Sequence, residues 1–300
     1  MRINKHLKYA LVLSGGGAKG LAHVGVLKAF SALGFPRPSL VVGTSMGAIV
    51  GGLYACGMTP AEMVHFALEK FNISRYLDSF TFRINGPAGK FFQAGQILGN
   101  LATRPGIDSG RRLLDLFGEL TKGKTFDQTV VPFRCNAVDL AVGEETVFSS
   151  GSVAFAMRAS MSFPVFFEPL VDGEHCYADG GLSHNMPVFI ARNEGFSRVL
   201  AVDVGRFSVR SAGSIKTLPD ILYRSLETSL QLKEERDRQR AALTIHVADE
   251  SSPLDFDRKR ELVNLGERTI FEHEKTVTAF FSPNPIVRAA GGRFRECGAG

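Results

Sequence analysis

Apolar residues near the start of the chain fall in short unbroken blocks, "YALVL" at residues 9–13 and "LVV" at 40–42, each of strand length. After each block, at residues 21–33 and 46–56, apolar positions recur at helical spacing. Alternation of strand and helix predicts an α/β fold with a mostly parallel sheet covered on both faces. "VPFRCNAVDL" and "RVLAVDVG" read as two later buried strands, "LTIHVAD" as another, and residues 215–240 as a long amphipathic helix. Asp172-Gly173 lies between "FFEPLV" and "EHCYA" and predicts a hairpin turn. Residues 71–103 break the pattern, since Phe71, Phe80, Phe82, Phe91 and Phe92 cluster among glycines with little periodicity. This segment, with its flank to about residue 125, is expected to be a peripheral lid or substrate-contacting region. Residues 1–282 are expected to form a single domain, followed by a Gly- and Arg-rich, poorly ordered tail at 283–300.

A chain of 300 residues that is 44% hydrophobic can bury a sizeable core. The formal charge is +5, but no long Lys/Arg block interleaves with aromatics, so no nucleic-acid partner is expected. Residues 1–61 contain no Asp or Glu, while Arg2, Lys5, Lys8, Lys19, Lys28 and Arg37 give that segment its basic character. Such charges suit transient contact with an anionic membrane surface. Cys56, Cys135, Cys176 and Cys297 share no metal or redox spacing and are expected to be free thiols in a reducing cytosol. The histidines do not cluster either, and neither a metal nor a cofactor is expected. The basic start with its short apolar run lacks a small-residue cleavage site and reads as the first strand rather than a signal peptide. Uncharged residues 38–61 are long enough for a bilayer, but their glycines point to a buried strand, turn and helix. A cytoplasmic protein is expected, possible membrane contact being peripheral.

Three motifs carry the chemistry. "SGGGAKG" satisfies a dinucleotide-type spacing through Gly15, Gly17 and Gly20, between a strand and a helix. The acidic residue that would hold a ribose some twenty positions on is missing, and Glu62 is the first acid in the chain. A phosphate loop is disfavoured because Gly20, not Ser or Thr, follows Lys19. Bare backbone at a helix start still favours an anion, and Lys19 occupies a position where helices prefer acids. "GTSMG" places Ser45 between Gly43 and Gly47 at a strand-to-helix turn, as a nucleophile elbow requires; an N-cap serine is the plainer alternative. "ADGGLSHNMPV" puts Asp179 before Gly180 and Gly181 at a strand end, either as a turn residue or as a carboxylate held for proton transfer. A Ser-Asp-His triad of Ser45, Asp203 and His246 is the rival arrangement, although His246 sits inside a strand-like run. His23 and His184 lie close enough to the motifs to line a site.

Taken together, "GGGAKG", "GTSMG" and "DGG", in that order, resemble the patatin-like phospholipases. "MRASMSFPVFFEPL" and "YADGGLSHNMPV" resemble family segments as well, so the likeness covers residues 9–204 and more weakly extends to about 281. The resemblance implies a three-layer α/β/α sandwich and a serine-aspartate dyad. Ser45 would be the nucleophile, Asp179 the base, and the amides of Gly15, Gly16 and Gly17 the oxyanion donors. It further implies a lipid acyl hydrolase acting on phospholipids or lysophospholipids. An acyltransferase or thioesterase using the same dyad is an alternative, and a non-catalytic nucleotide-binding protein is another. Head-group preference and oligomeric state are not legible.

Overall fold

The computed structural model describes residues 3–76, 106–205, 209, 211–215, 218–247, 249, 252–253, 255–284 and 296–297. The described strands are, in chain order, β1 (Ala10–Leu13), β2 (Leu40–Gly43), β3 (Gly106–Asp108), β4 (Phe133–Asp139), β5 (Glu144–Phe148) and β6 (Val165–Phe167). They continue with β7 (Leu170–Asp172), β8 (His175–Asp179), β9 (Val199–Asp203), β10 (Leu243–His246) and β11 (Glu296–Cys297). Nine of them form one sheet in the order β11-β10-β9-β1-β2-β4-β8-β7, with β5 on the side of β4.

Strand β1 is buried along its whole length and pairs in parallel with β2 and β9, as a central strand of a parallel sheet must. Its residues alternate between the two faces with the strand period of two. Leu11 and Leu13 pack on one face with Val41, Leu200 and Val202, beneath α1 (Ala22–Ala32), α2 (Met46–Ala55) and the helices Val153–Ser160 and Lys259–Glu272. Ala10 and Val12 face the other way, against Val188, Ile190 and Ala191 of the helix Val188–Asn193. Helix, sheet and helix therefore make the three layers expected from the strand and helix alternation. Beyond β4 the sheet changes character, because β5, β7 and β8 run antiparallel. The Asp172-Gly173 turn joins β7 to β8 as a hairpin, Gly173 taking φ +60°.

Register does the long-range work. Gly43 on β2 is level with Cys135 on β4, and Ala137, two residues further, faces Asp179 on β8. Residue 45, two past Gly43, is thus brought to the height of Asp179 although 134 positions separate them.

Of the region expected to be peripheral, residues 77–105, which include Phe80, Phe82, Phe91 and Phe92, lie outside the described residues. Its remainder belongs to the body of the protein: Leu113, Leu116 and Phe117 of the helix Arg111–Thr121 are buried in the main core. The tail also lies mostly outside the described residues, apart from β11 pairing parallel to β10. Among the described residues, no helix is long and apolar enough to cross a membrane.

Candidate active site

Ser45 stands between β2 and α2 with φ 53° and ψ −121°, a left-handed conformation that non-glycine residues avoid. The turn is tight because its neighbours two away have no side chains. A Cβ at Gly43 would lie 2.3 Å from the Gly47 carbonyl oxygen, and one at Gly47 would lie 2.2 Å from that of Leu13. Ser45 is not a capping serine: its hydroxyl makes no bond to the start of α2 and instead donates to Asp179 Oδ2 at 2.7 Å. Its own N–H donates to Ser160 Oγ at 2.9 Å.

Asp179 ends β8 and is nearly sealed from solvent, at 2% exposure. Its Oδ1 accepts from the Gly181 N–H at 2.7 Å, and its own N–H donates to the Ser162 carbonyl at 3.0 Å. Burial pushes the carboxyl up to about 6, against the hydrogen bonds from Ser45 and Gly181 that pull it down. A Cβ at Gly180 would lie 2.4 Å from the Asn136 carbonyl oxygen, so Gly180 lets the aspartate loop lie on β4.

The glycine loop separates into two halves. The N–H groups of Gly16 and Gly17 have no acceptor among the described residues, and both residues line the cavity in front of Ser45. Gly15 departs from its expected role as an oxyanion donor, because its N–H donates to the Asn185 carbonyl at 2.9 Å. Its lack of a side chain makes room for Asn185 Oδ1, which would lie 2.3 Å from a Cβ there. Lys19 also departs from the expected anion-binding role. It is buried, does not line the cavity, and its Nζ donates to the Asp249 carbonyl at 2.8 Å, holding the segment after β10. Gly20 is likewise a packing position, where a Cβ would meet Met46 Cγ at 2.3 Å.

The rival triad does not form, since Ser45 is bonded to Asp179 while Asp203 and His246 face each other across β9 and β10 at 3.4 Å, away from the cavity lining. Asp203 is also bonded to Arg238 at 2.9 Å. Burial pushes its carboxyl up, but His246 and Arg238 outweigh this and hold it well below the usual range. His23 is a core residue, pushed down to about 4 by burial, whose Nε2 bonds the Ser14 carbonyl at 2.9 Å and so steadies the head of the glycine loop. His184 stays outside the cavity lining, its Nδ1 2.7 Å from Glu145 Oε2.

Three residues to which the sequence assigned no role also border the site. Asn136 is fully buried and ties both halves together, its Oδ1 accepting from Thr44 Oγ1 at 2.6 Å and its Nδ2 donating to the Gly180 and His184 carbonyls. Ser160 orients the Ser45 amide from within "MRASMSF". Met46 supplies an N–H with no acceptor among the described residues and also lines the cavity; the amide after a nucleophile is a standard oxyanion donor. That position was readable from the elbow, whereas the interior Asn136 carries no local signal.

The Ser45–Asp179 pair opens into a cavity of about 660 Å³, walled mainly by aliphatic and aromatic side chains and of the size usual for small-molecule sites. Among the described residues, no group of His, Cys, Asp and Glu could hold a metal ion. The family model for patatin-like phospholipases matches residues 11–192. The chain belongs to the patatin-like phospholipase family. It is 34% identical, over 65% of its length, to a patatin-like phospholipase domain-containing protein of Caenorhabditis elegans. It is 31% identical over 66% of its length to lysophospholipase NTE1 of Mycosarcoma maydis, and 30% over 72% to an NTE family protein of Mycobacterium tuberculosis. The alignments span 13%, 10% and 34% of those relatives, which are therefore much longer. Among solved structures, VipD from Legionella pneumophila shares the fold with a TM-score of 0.50 at 15% identity, over 95% of this chain and 71% of that one.

Proposed function

We propose that this patatin-like protein is a serine-dependent lipid acyl hydrolase that cleaves carboxylic esters of phospholipids or lysophospholipids. The observation that carries the reading is the 2.7 Å bond from Ser45 Oγ to a buried Asp179 at the floor of an apolar cavity. Ser45 attacks the ester carbonyl while Asp179 takes its proton, then returns it to the departing alcohol; water next hydrolyses the acyl-enzyme. Burial of the Asp179 carboxyl brings its proton affinity nearer to neutrality, which a base for a serine hydroxyl needs. The N–H groups of Gly16, Gly17 and Met46 receive the oxyanion, each such donor being worth on the order of 3 kcal/mol in hydrolases. The lysophospholipase names among the relatives support the substrate class. Because such substrates reside in or near bilayers, transient contact with a membrane surface belongs to the same proposal.

The test is hydrolysis of phosphatidylcholine and lysophosphatidylcholine with products read by mass spectrometry, alongside fluorophosphonate labelling. Ser45→Ala is expected to abolish labelling and lower kcat by about 10⁴-fold or more. Free fatty acid released at the wild-type rate by a folded Ser45→Ala would refute the assignment.

A further inference from the structure

The cavity has a direction, fixed by which backbone ends meet. At one end, Ser45 N–H is bonded to Ser160 Oγ at 2.9 Å, and the Gly110 carbonyl accepts from Arg158 Nε at 3.1 Å. Ser160 and Arg158 share the last turn of the helix Val153–Ser160, so α2 and the helix Arg111–Thr121 both begin beside the nucleophile. At the other end, Lys124 Nζ donates to the Cys56 carbonyl at 2.8 Å, just beyond the last residues of both helices. The two helices thus run side by side in the same sense.

Each turns an apolar stripe to the space between them. On α2 the lining residues are Met46, Ile49, Val50 and Leu53, one helical face, and on the facing helix they are Leu113, Leu116, Phe117 and Leu120. The rest of α2 is committed elsewhere, a Cβ at Gly51 pointing at Val41 of the sheet and one at Gly52 at Met157. We infer that the acyl chain threads between these two helices, its carbonyl carbon at Ser45 and its methyl end toward Leu53 and Leu120, so that α2 acts as a ruler for chain length. The inference rests on the hydrolase reading, because it is Ser45 that fixes the carbonyl end.

The helical rise of about 1.5 Å per residue puts Ile49 about 6 Å and Leu53 about 12 Å along α2 from Ser45. An extended chain advances about 1.2 Å per bond, so about five bonds reach Ile49 and about ten reach Leu53. Bulk added at these two positions should block chains at two different lengths. A merely structural role for either residue would not order the thresholds in this way.

The experiment measures kcat/KM for 4-nitrophenyl esters of four to sixteen carbons with the wild type, Ile49→Phe and Leu53→Phe, each checked for folding by circular dichroism. Leu53→Phe is expected to lower the ratio of sixteen-carbon to six-carbon kcat/KM by about tenfold or more. Its fall should set in near ten carbons, and that of Ile49→Phe near five. Should Leu53→Phe not fold, Leu120→Phe from the opposite wall replaces it with a matching threshold; should Ile49→Phe not fold, Leu116→Phe, one turn nearer the start of that wall, replaces it with the shorter threshold. Folded variants with an unchanged chain-length profile, or with thresholds in the reverse order, overturn the ruler. Wild-type protein that hydrolyses none of the esters would instead refute the hydrolase reading itself.

Discussion

Ser45 carries a backbone conformation that only glycine adopts without strain. The surroundings enforce it: Gly47 N–H donates to the Thr44 carbonyl at 2.8 Å, the Ser45 N–H is taken by Ser160, and Asp179 holds the hydroxyl. Such a residue costs on the order of 1–3 kcal/mol. Two variants that both lack the hydroxyl separate this strain from the lost hydrogen bond. Ser45→Gly is expected to be more stable than Ser45→Ala by about 1–2 kcal/mol in urea denaturation, with neither active. Equal midpoints for the two would show that position 45 stores no strain. Asn136 has the opposite history, as a buried residue bonded to Glu145 on the adjacent strand and to Thr44, Gly180 and His184 from remote parts of the chain. Nothing local distinguishes it from any other residue of a buried strand, which is why "RCNAVD" reads as plain core.

At the scale of elements, glycines in regular helices divide into those that meet a neighbour and those that do not. Helix α1 and the helix Lys259–Glu272 cross with their backbones in contact. A Cβ at Gly25 would lie 1.9 Å from the Val263 carbonyl oxygen, and one at Gly266 would lie 2.0 Å from that of Ala22. The helix Arg111–Thr121 also contains a glycine, Gly118, but nothing lies within 4 Å of the Cβ position there. The same chemical change should therefore have opposite signs. Gly118→Ala is expected to stabilise by about 0.5–1 kcal/mol through helix propensity. Gly25→Ala is expected to destabilise by about 3 kcal/mol because backbone must move. Thermal and urea denaturation of the two variants checks both, and a stabilising Gly25→Ala would mean that the two helices are not held at this distance. Periodicity made the helices themselves legible, with residues 46–56 matching α2 (Met46–Ala55) closely. The reading of residues 21–33 missed the 3-10 turn Gly17–Leu21 that precedes α1, since nothing in the apolar pattern separates one helical turn from another.

Across the whole molecule, the layers and the β7–β8 hairpin were legible because apolar runs and turn residues are local, whereas the Ser45–Asp179 meeting came from the family resemblance, and the pairing of β4 with β5 and β8 that carries it lies outside any short sequence window. Charge counted along the sequence likewise does not reveal partners inside the fold. Lys19 binds a carbonyl internally, Lys5 binds the Gly34 carbonyl, and Lys28 pairs with Glu267 at 2.7 Å.

Asp179 couples the site to global stability through its proton. The folded carboxyl titrates at about 6, above the value of about 3.9 in an unfolded chain, so between these values the folded state binds more protons. Stability contributed by this group is therefore full below pH about 4 and falls as pH rises through about 6. About two units of difference correspond to about 3 kcal/mol, which the ionised carboxylate costs the native state at neutral pH. Asp179→Asn removes that cost while keeping an oxygen for the Gly181 N–H. The variant is expected to exceed wild type in stability by about 3 kcal/mol at pH 8, with the gap closing toward pH 4; the activity lost would be the part of the wild-type profile that rises through pH about 6. Comparing the two proteins at each pH cancels every other titrating group. A gap that stays constant from pH 8 to pH 4 would mean that the Asp179 carboxyl is not raised in the fold, which would remove the support its burial gives to the proposed role as a base.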